Sequence, residues 1–197
     1  MIQNLIKTEK SFLTLQKVNP LDGEINNTIN DVIIEIQDKL LIKPKIFIYG
    51  RECSQKRDVG FFSNSSDGYK YSGNIIKSQP ISDNMEKLII YINKLFNSNY
   101  NGILINRYDS GVDCIGAHSD EESLLDKSGV VALSWGAKRK FRIRDKIHKN
   151  IHMDIPLDHL TIINMGGDFQ KEFTHEVPVQ KRVKGMRISL TFRRHLK

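Results

Sequence analysis

The sequence predicts an α+β domain in which two helices precede a double-stranded β-helix, or jelly roll. Apolar residues recur at helical spacing in two segments before residue 102. After Gly102, short apolar runs alternate with polar residues and end at turn residues, which is typical of strands. No internal repeat, low-complexity tract or linker divides the 197 residues. We therefore expect one domain over residues 1–197 with a double-sheet core.

Both predicted helices have a capping residue and an apolar stripe. The first is expected over residues 31–41, with Asn30 as its N-cap and Pro44 beyond its end. The second begins near Asp83, with Glu86 in the capping-box position. The buried stripes are Val32, Ile33, Ile36 and Leu40 in the first helix, and Met85, Leu88, Ile89, Ile92, Leu95 and Phe96 in the second.

The predicted strands are short and mostly follow the second helix. Residues 46–50 form a strand that enters a turn, and residues 51–78 are expected to be mostly loop with short strands. The later strands are predicted over residues 103–108, 130–135, 140–144, 151–155, 160–164, 173–178 and 186–193. Residues 102–197 therefore form the expected jelly-roll core.

The charge balance favours a polyanionic partner. The net charge is +7, which points first to nucleic acid and second to an anionic membrane surface. An AT-rich genome, which also enriches Ile, Asn and Lys, is an alternative source of this surplus. No apolar run is long enough to span a bilayer and the N-terminus lacks a signal peptide, so we expect an intracellular protein, in the nucleus or the cytoplasm. We also expect a monomer. Cys53 and Cys114 match no metal spacing and are expected to be reduced thiols.

A His-x-Asp pair suggests a metal centre. His118 and Asp120 are two residues apart, so in extended backbone both side chains face the same way. They can form two corners of a 2-His-1-carboxylate triad, for which His175 is the best third candidate. His148 and His152 are expected on the surface beside a hairpin, His159 in a turn, and His195 in a solvated terminal tail.

The last predicted strand has two different faces. Ile188, Leu190 and Phe192 belong to an apolar face that fits a core. The opposite face, Arg187, Ser189, Thr191 and Arg193, suits a polar pocket for a dicarboxylate, because guanidinium groups bind carboxylates in bidentate fashion. Asn106 and Tyr108 share one face of another strand and can add an amide and a phenol. A solvated barrel face would alternate equally well and stays open as an alternative.

Together these motifs resemble the AlkB family of Fe(II)/2-oxoglutarate dioxygenases over residues 46–193. The matching pieces are Asn106-Arg107-Tyr108, His118-x-Asp120, His175 and Arg187-x-x-Leu190-Thr191-Phe192-Arg193. The resemblance implies His118, Asp120 and His175 as iron ligands. It implies Asn106, Tyr108, Arg187, Thr191 and Arg193 around 2-oxoglutarate, with Arg187 as the main partner of the distal carboxylate. Ser189 departs from the family, which usually has Asn at this position.

Within the family the chain most resembles the animal homologue that repairs duplex DNA. The resemblance implies that residues 1–101 include a nucleotide-recognition lid. Tyr49 looks like a finger that fills the gap of a flipped base, and Tyr69 and Tyr71 look like a lesion-pocket segment. The other implied substrate contacts are Arg57, Glu121, Lys181 and Arg182. Two departures weaken the expected grip on a duplex: Lys56 replaces a proline, and Gln180 replaces a basic residue.

The resemblance implies oxidative removal of N-methyl groups from bases such as 1-methyladenine and 3-methylcytosine. The reaction would use Fe(II), 2-oxoglutarate and O2, with formaldehyde, succinate and CO2 as products. Flipping such a base out of a duplex is easier because the lesion blocks pairing. The alternatives are an RNA demethylase, a protein hydroxylase of the same class, or a catalytically silent nucleic-acid-binding module.

Overall fold

The computed structural model describes residues 2–48, 50–71, 74–120 and 129–195, without the side chains of Ile48 and Tyr71. Its helices are α1 (Gly23–Glu35), α2 (Asp83–Phe96) and the short α3 (Phe169–Glu172). Its strands are β1 (Gln3–Lys7), β2 (Ser11–Lys17), β3 (Lys45–Ile48), β4 (Arg51–Ser54), β5 (Asp58–Ser63), β6 (Gly68–Tyr71), β7 (Asn74–Lys77), β8 (Gly102–Tyr108), β9 (Ile115–His118), β10 (Val130–Gly136), β11 (Arg139–Asp145), β12 (Ile151–Leu157), β13 (Thr161–Gly167), β14 (Phe173–Val177) and β15 (Arg187–Arg193).

Most strands belong to two antiparallel sheets. The major sheet has seven strands in the order β1-β2-β13-β10-β15-β8-β5, and the minor sheet has four in the order β12-β11-β14-β9. Two separate hairpins, β3-β4 and β6-β7, lie between the two long helices in the chain. The predicted α+β jelly-roll class is confirmed. Strands β1, β2 and β5 show that residues before Gly102 also build the major sheet.

The alternation along the strands produces three layers. One face of the major sheet packs against α1 and α2, in a cluster that includes Ile188, Leu190 and Phe192. The other face packs against the minor sheet in a second cluster, which includes Tyr108, Phe141 and Val177. The predicted apolar face of β15 is therefore part of a core, and its opposite face points between the two sheets. This space between the sheets also holds polar residues of β8, β14 and β15.

The first helix begins earlier than the sequence predicted. Asp22, not Asn30, is its N-cap and accepts a hydrogen bond from the Ile25 backbone at 3.2 Å. Asn30 lies inside the helix, where its Oδ1 accepts from Trp135 Nε1 at 3.0 Å. The predicted start was wrong because a tertiary contact, which no local pattern contains, satisfies this polar side chain.

The second helix begins at Asp83, as predicted. Ser82 caps it by accepting from the Met85 backbone at 3.2 Å. Glu35, at the end of α1, accepts from Ser82 Oγ at 2.5 Å and from Asn84 Nδ2 at 2.6 Å. The end of one helix and the start of the other are thereby joined. Glu86 is in the first turn, where its negative charge interacts favourably with the positive end of the helix dipole.

The strands predicted after Gly102 are all present within a few residues of their expected bounds. Residues 51–78 contain more strand than expected, because β5 completes the major sheet and the two hairpins occupy most of the rest. Strands β1 and β2 lie outside every predicted element. Cys53 and Cys114 are both free thiols, as expected.

One histidine prediction was wrong. His195 is buried and packs on Phe61, with 4.7 Å between the ring centroids. Asn101 holds its backbone in both directions, accepting from His195 N at 2.8 Å and donating to His195 O at 2.9 Å. Because the backbone after β15 is fixed against the start of β8, this part of the tail is not solvated. Burial and the neighbouring Arg193 lower the pKa of His195 to about 4.

No helix in the described part of the chain has the length and apolar character that crossing a bilayer requires.

Candidate active site

A polar pocket opens between the two sheets. Residues of both sheets, together with the segment before β5 and the hairpin β6-β7, contribute to its wall. The lining residues are Arg57, Tyr69, Leu104, Asn106, Tyr108, Ile115, His118, Asp120, Ala132, Phe141, Met165, His175, Val177, Arg187, Ser189, Thr191 and Arg193. The pocket therefore contains every residue for which the sequence predicted a metal or 2-oxoglutarate contact.

The minor sheet brings the predicted metal ligands together. His118 on β9 and His175 on β14 are register partners, and their ring centroids are 4.3 Å apart. Asp120 Oδ1 is 3.7 Å from His118 Nε2, and Asp120 Oδ2 is 3.7 Å from His175 Nε2. One ligand atom from each residue lies within 4.8 Å of the others, so the three can converge on one ion. This donor set, two imidazoles and one carboxylate, suits Fe(II) with open coordination positions.

Local contacts orient these side chains. His118 Nδ1 lies 2.9 Å from the Gly116 carbonyl, which can only accept, so Nδ1 carries the proton and Nε2 has the lone pair that a metal needs. The ring of His175 stacks on Phe141, with 5.2 Å between centroids. The backbone of Asp120 donates to Gln170 Oε1 at 2.9 Å.

The protonation states favour metal binding. Burial lowers the pKa of His118, and the charges of Arg57 and Arg193 lower it further. Burial, followed by the neighbouring His118, lowers the pKa of His175 to about 3. Burial by itself raises the pKa of Asp120, but Arg193 and the two histidines outweigh it and bring the value to about 2. At neutral pH the pocket therefore presents two neutral imidazoles and one carboxylate.

Arg193 contacts the triad directly. Its Nη2 donates to Asp120 Oδ1 at 2.7 Å, and both side chains are buried. Its guanidinium carbon lies 4.9 Å from the centroid of the Tyr69 ring, which is also buried. Arg193 thus neutralises the buried carboxylate and orients it. The predicted contact between Arg193 and 2-oxoglutarate stays a prediction.

The major sheet supplies the other wall. Arg187 on β15 is the register partner of Tyr108 on β8, and its guanidinium carbon lies 5.4 Å from the Tyr108 ring centroid. Arg187 Nη2 donates to Ser134 Oγ at 2.9 Å. Its buried Nε and Nη1 have no hydrogen-bond partner among the described residues. Because a buried guanidinium without an anion is costly, this wall fits a carboxylate ligand.

Asn106 and its neighbours complete this wall. Asn106 is the register partner of Ser189, and Thr191 follows on the same face of β15. Arg57 Nε donates to Asn106 Oδ1 at 2.7 Å. Arg57, which the resemblance assigned to the substrate, is therefore buried beside the predicted 2-oxoglutarate residues. Ser189 lines the pocket too, although it was left out of the predicted site.

The basic loop, defined as residues 178–186, lies between β14 and β15. Lys181 and Arg182 are exposed on it, as a phosphate-contacting role requires. Gln180 instead points toward the protein, where its Oε1 accepts from the Lys140 backbone at 2.7 Å.

The buried Arg139 ties the basic loop to the segment before β9. It donates to the carbonyls of Ser110 at 2.9 Å, Asp113 at 2.7 Å and Pro178 at 2.9 Å. Gly111 adds two backbone bonds, accepting from Gln180 N at 2.7 Å and donating to Val183 O at 2.8 Å. The loop that carries the exposed cations is therefore fixed on its inner side.

Three predicted substrate contacts have no described side chain. Tyr49 and Glu121 lie outside the described residues, and the side chain of Tyr71 does too. Tyr69 is described, and it contacts Arg193 and Phe61 in the wall of the pocket. The roles of all four residues stay predictions.

Several site residues were missed from the sequence. Ser134 is a polar residue in an otherwise apolar strand, which is a readable signal for a buried hydrogen bond. Gln170 and Arg139 gave no such signal, because polar residues beside turns are ordinary on a protein surface. Their partners come from distant segments and are defined by the fold alone.

Comparison with known proteins places the chain in a family. The family described as the 2OG-Fe(II) oxygenase superfamily matches residues 20–193. The DNA oxidative demethylase ALKBH2 of Homo sapiens is 28% identical over 160 residues, which cover 77% of this chain and 61% of that protein. The alpha-ketoglutarate-dependent dioxygenase alkB homolog 3 of Bos taurus is 37% identical over 103 residues, covering 48% of this chain and 36% of that protein. The chain thus spans about three-fifths of the human ALKBH2 length.

A solved structure has the same fold. The structure of OsALKBH1 superimposes with a TM-score of 0.56 at 18% identity, and the match covers 98% of this chain and 100% of that one. At this identity the likeness supports the fold alone. The family match, the two relatives and the His-Asp-His pocket agree with one another. The chain belongs to the 2OG-Fe(II) oxygenase superfamily, and within it to the AlkB family.

Proposed function

We propose that this protein removes alkyl groups oxidatively from damaged bases of double-stranded DNA. The observation that carries the proposal is the pairing of two walls in one pocket. A His-Asp-His set lies on and just after strands of the minor sheet. On the major sheet is the buried Arg187, whose Nε and Nη1 have no hydrogen-bond partner among the described residues. A pocket whose two walls suit a cation and a dicarboxylate matches the chemistry of this superfamily.

The residues of the pocket have distinct proposed roles. His118, Asp120 and His175 would hold Fe(II), and Arg187, Asn106, Tyr108 and Thr191 would hold 2-oxoglutarate. When bound, the iron and cosubstrate supply oxidation of an N-methyl carbon by O2, with formaldehyde, succinate and CO2 as products. Arg193 holds Asp120 in its ionised form and so keeps one metal ligand in place.

The choice of a nucleic-acid substrate rests on the relatives and on charge. The relatives named ALKBH2 are described as DNA oxidative demethylases. This chain has a net charge of +7, and the basic loop displays Lys181 and Arg182 to solvent. Exposed cations on a fixed loop are suited to the phosphates of a strand, which they would contact without reading its sequence. The proposed contacts to the lesion and its neighbours are Tyr69 in the pocket wall, together with Tyr49, Tyr71 and Glu121.

We also propose that the chain acts as one monomeric domain. Arg57 and Tyr69 come from the first half of the chain, and the metal and cosubstrate residues come from the second. Because one pocket needs both halves, residues 1–101 and 102–197 would not function separately.

The direct test is an activity panel. Oligonucleotides containing 1-methyladenine or 3-methylcytosine would be offered as single-stranded DNA, duplex DNA and RNA with Fe(II), 2-oxoglutarate and O2. Repaired base and formaldehyde would be measured by mass spectrometry, and we expect both products, with duplex DNA as a good substrate. Repair of RNA but not DNA would contradict the DNA assignment. Binding without turnover of any substrate would favour a silent nucleic-acid-binding module.

A further inference from the structure

We infer that Arg57 is a positioning residue that acts on 2-oxoglutarate through Asn106, and is not primarily a contact to the damaged base. The inference rests on the proposed function, because it assumes that the pocket binds 2-oxoglutarate. It assigns Arg57 to a different partner from the one that the family resemblance implies. The evidence is a single buried contact and the chemistry of its two groups.

The contact between the two side chains fixes the Asn106 amide. Arg57 Nε donates to the Asn106 side chain at 2.7 Å, and both residues are buried. A guanidinium group has donors and no acceptor, so the atom it meets must be the amide oxygen. The Asn106 Nδ2, with its two protons, is therefore the end left for another partner. Because Asn106 lines the pocket, that partner is a pocket ligand that accepts hydrogen bonds.

The segment around Arg57 is itself fixed. Its neighbour Lys56 accepts from the Cys114 backbone at 2.9 Å. The following residue, Asp58, forms an ion pair of 2.7 Å with Arg107 and is the register partner of that residue on β8. Arg57 therefore enters the pocket from a backbone that is held on both sides. Such a fixed donor can hold the Asn106 amide in one orientation. Without it, the amide could rotate and exchange the positions of its oxygen and nitrogen.

The amide belongs to the wall that also holds Arg187. Asn106 and Tyr108 share one face of β8, and Tyr108 is the register partner of Arg187 on β15. Opposite Asn106 on β15 is Ser189, which has a short side chain and also lines the pocket. The wall thus offers the guanidinium donors of Arg187 and the amide donors of Asn106, which suits a ligand with two carboxylates.

Loss of the Arg57 side chain would remove this orientation. The amide could then present its oxygen, which repels a carboxylate, as readily as its nitrogen. We expect Arg57→Met to weaken 2-oxoglutarate binding about tenfold, because a hydrogen bond to a charged group is removed or weakened. Arg57→Lys keeps a donor and should recover part of this affinity.

The experiment measures binding without turnover. Protein loaded with Mn(II) would be titrated with 2-oxoglutarate by calorimetry, for wild type, Arg57→Met, Arg57→Lys, Asn106→Ala and the double variant Arg57→Met/Asn106→Ala. If Arg57 acts through Asn106, it has no further effect once Asn106 is alanine, so the double variant binds like Asn106→Ala. Binding of a methylated oligonucleotide, followed by fluorescence anisotropy, should change little in Arg57→Met. The matched control is Arg142→Met, which breaks the ion pair with Asp154 outside the pocket.

A second variant serves if Arg57→Met does not fold. Asn106→Asp keeps the acceptor for Arg57 but replaces both amide protons with a negative charge. We expect it to fold normally by thermal unfolding and to bind 2-oxoglutarate at least about tenfold more weakly.

Three results would overturn the inference. The first is wild-type 2-oxoglutarate affinity in Arg57→Met or Asn106→Asp. The second is an equal loss of 2-oxoglutarate affinity when Arg57→Met is introduced into the wild type and into Asn106→Ala. The third is a defect of Arg57→Met that is confined to oligonucleotide binding. If wild-type protein itself does not bind 2-oxoglutarate, the proposed function fails, and the inference fails with it.

Discussion

The pocket and the basic loop both carry arginines, but the two regions hold them in different ways. In the pocket, Arg57, Arg187 and Arg193 are at most 4% exposed, and each has a specific side-chain contact. On the loop, Lys181 and Arg182 are exposed to solvent. A buried guanidinium favours one partner in one geometry, whereas exposed cations act together through a charge that salt screens. We therefore expect the pocket to govern the chemistry and the loop to govern affinity for a polyanion.

The two regions are connected by a third kind of arginine. Arg139 is buried like those in the pocket, but it binds a backbone carbonyl of the basic loop and two carbonyls of the segment before β9. It adds no charge to the surface and gives the loop a fixed shape. Arginine therefore has three roles in this protein: it binds specific side chains in the pocket, adds positive charge on the loop, and fixes the loop backbone. Each role can be changed by a separate substitution.

The largest effect is expected in the triad. His118→Ala, Asp120→Ala and His175→Ala should each reduce repair below detection, because each removes a proposed metal ligand. The three should differ in stability. Asp120→Ala leaves Arg193 buried without its carboxylate, which costs about 3–5 kcal/mol, whereas His118→Ala removes a half-buried ring and costs less. Chemical denaturation and metal content measured on the same samples would check both points. Near-normal activity in any of the three would contradict the triad.

The next effect concerns the cosubstrate wall. Arg187→Met should raise the 2-oxoglutarate requirement about tenfold or more, since a charge-assisted hydrogen bond contributes about 1.5–3 kcal/mol. Its stability without cosubstrate should not fall much, because the guanidinium that it removes has two nitrogens with no partner among the described residues. Steady-state kinetics at varied 2-oxoglutarate would measure the change. Arg144→Met, which breaks an ion pair with Glu176, serves as the control. An unchanged 2-oxoglutarate requirement would show that a residue other than Arg187 is the main partner of the distal carboxylate.

A smaller effect is expected where the loop is attached. A Cβ added at Gly111 would overlap the Gln180 carbonyl oxygen, so Gly111→Ala must displace the basic loop. We expect a decrease of about 1–3 kcal/mol in stability and several-fold weaker duplex binding, with 2-oxoglutarate affinity unchanged. Gly23→Ala, where an added Cβ meets open space, is the control. If Gly111→Ala binds duplex DNA with wild-type affinity, a fixed basic loop is not required for duplex binding.

The smallest effects belong to the exposed cations. Replacing both Lys181 and Arg182 with glutamine should weaken duplex binding and flatten its dependence on salt, by about 0.9 in logarithmic slope for each phosphate that is no longer neutralised. Gln180→Lys, which brings back a basic residue, should not strengthen binding, because Gln180 supplies the acceptor for the Lys140 backbone. Anisotropy titrations at several salt concentrations would measure both. Tighter binding by Gln180→Lys would show that the side chain is free to turn outward.

Much of the fold and of the pocket could be predicted from the sequence. Strand periodicity determined which side of β15 joins the core and which side faces the pocket, since alternate side chains point to opposite faces. The His118-x-Asp120 spacing predicted two side chains on one face, and the strands after Gly102 were readable from their turn residues. These features are local, so neighbouring residues contain the information that defines them.

The tertiary structure alone decided which polar groups meet. Asn30 looked like a helix cap but accepts from Trp135, and His195 looked like a tail residue but packs on Phe61. Arg57, for which the resemblance implies a substrate contact, donates to Asn106, which is 49 positions away in the chain. A buried polar group takes whichever partner the packing of distant strands brings within hydrogen-bond distance, and that choice leaves no periodic signal in the sequence.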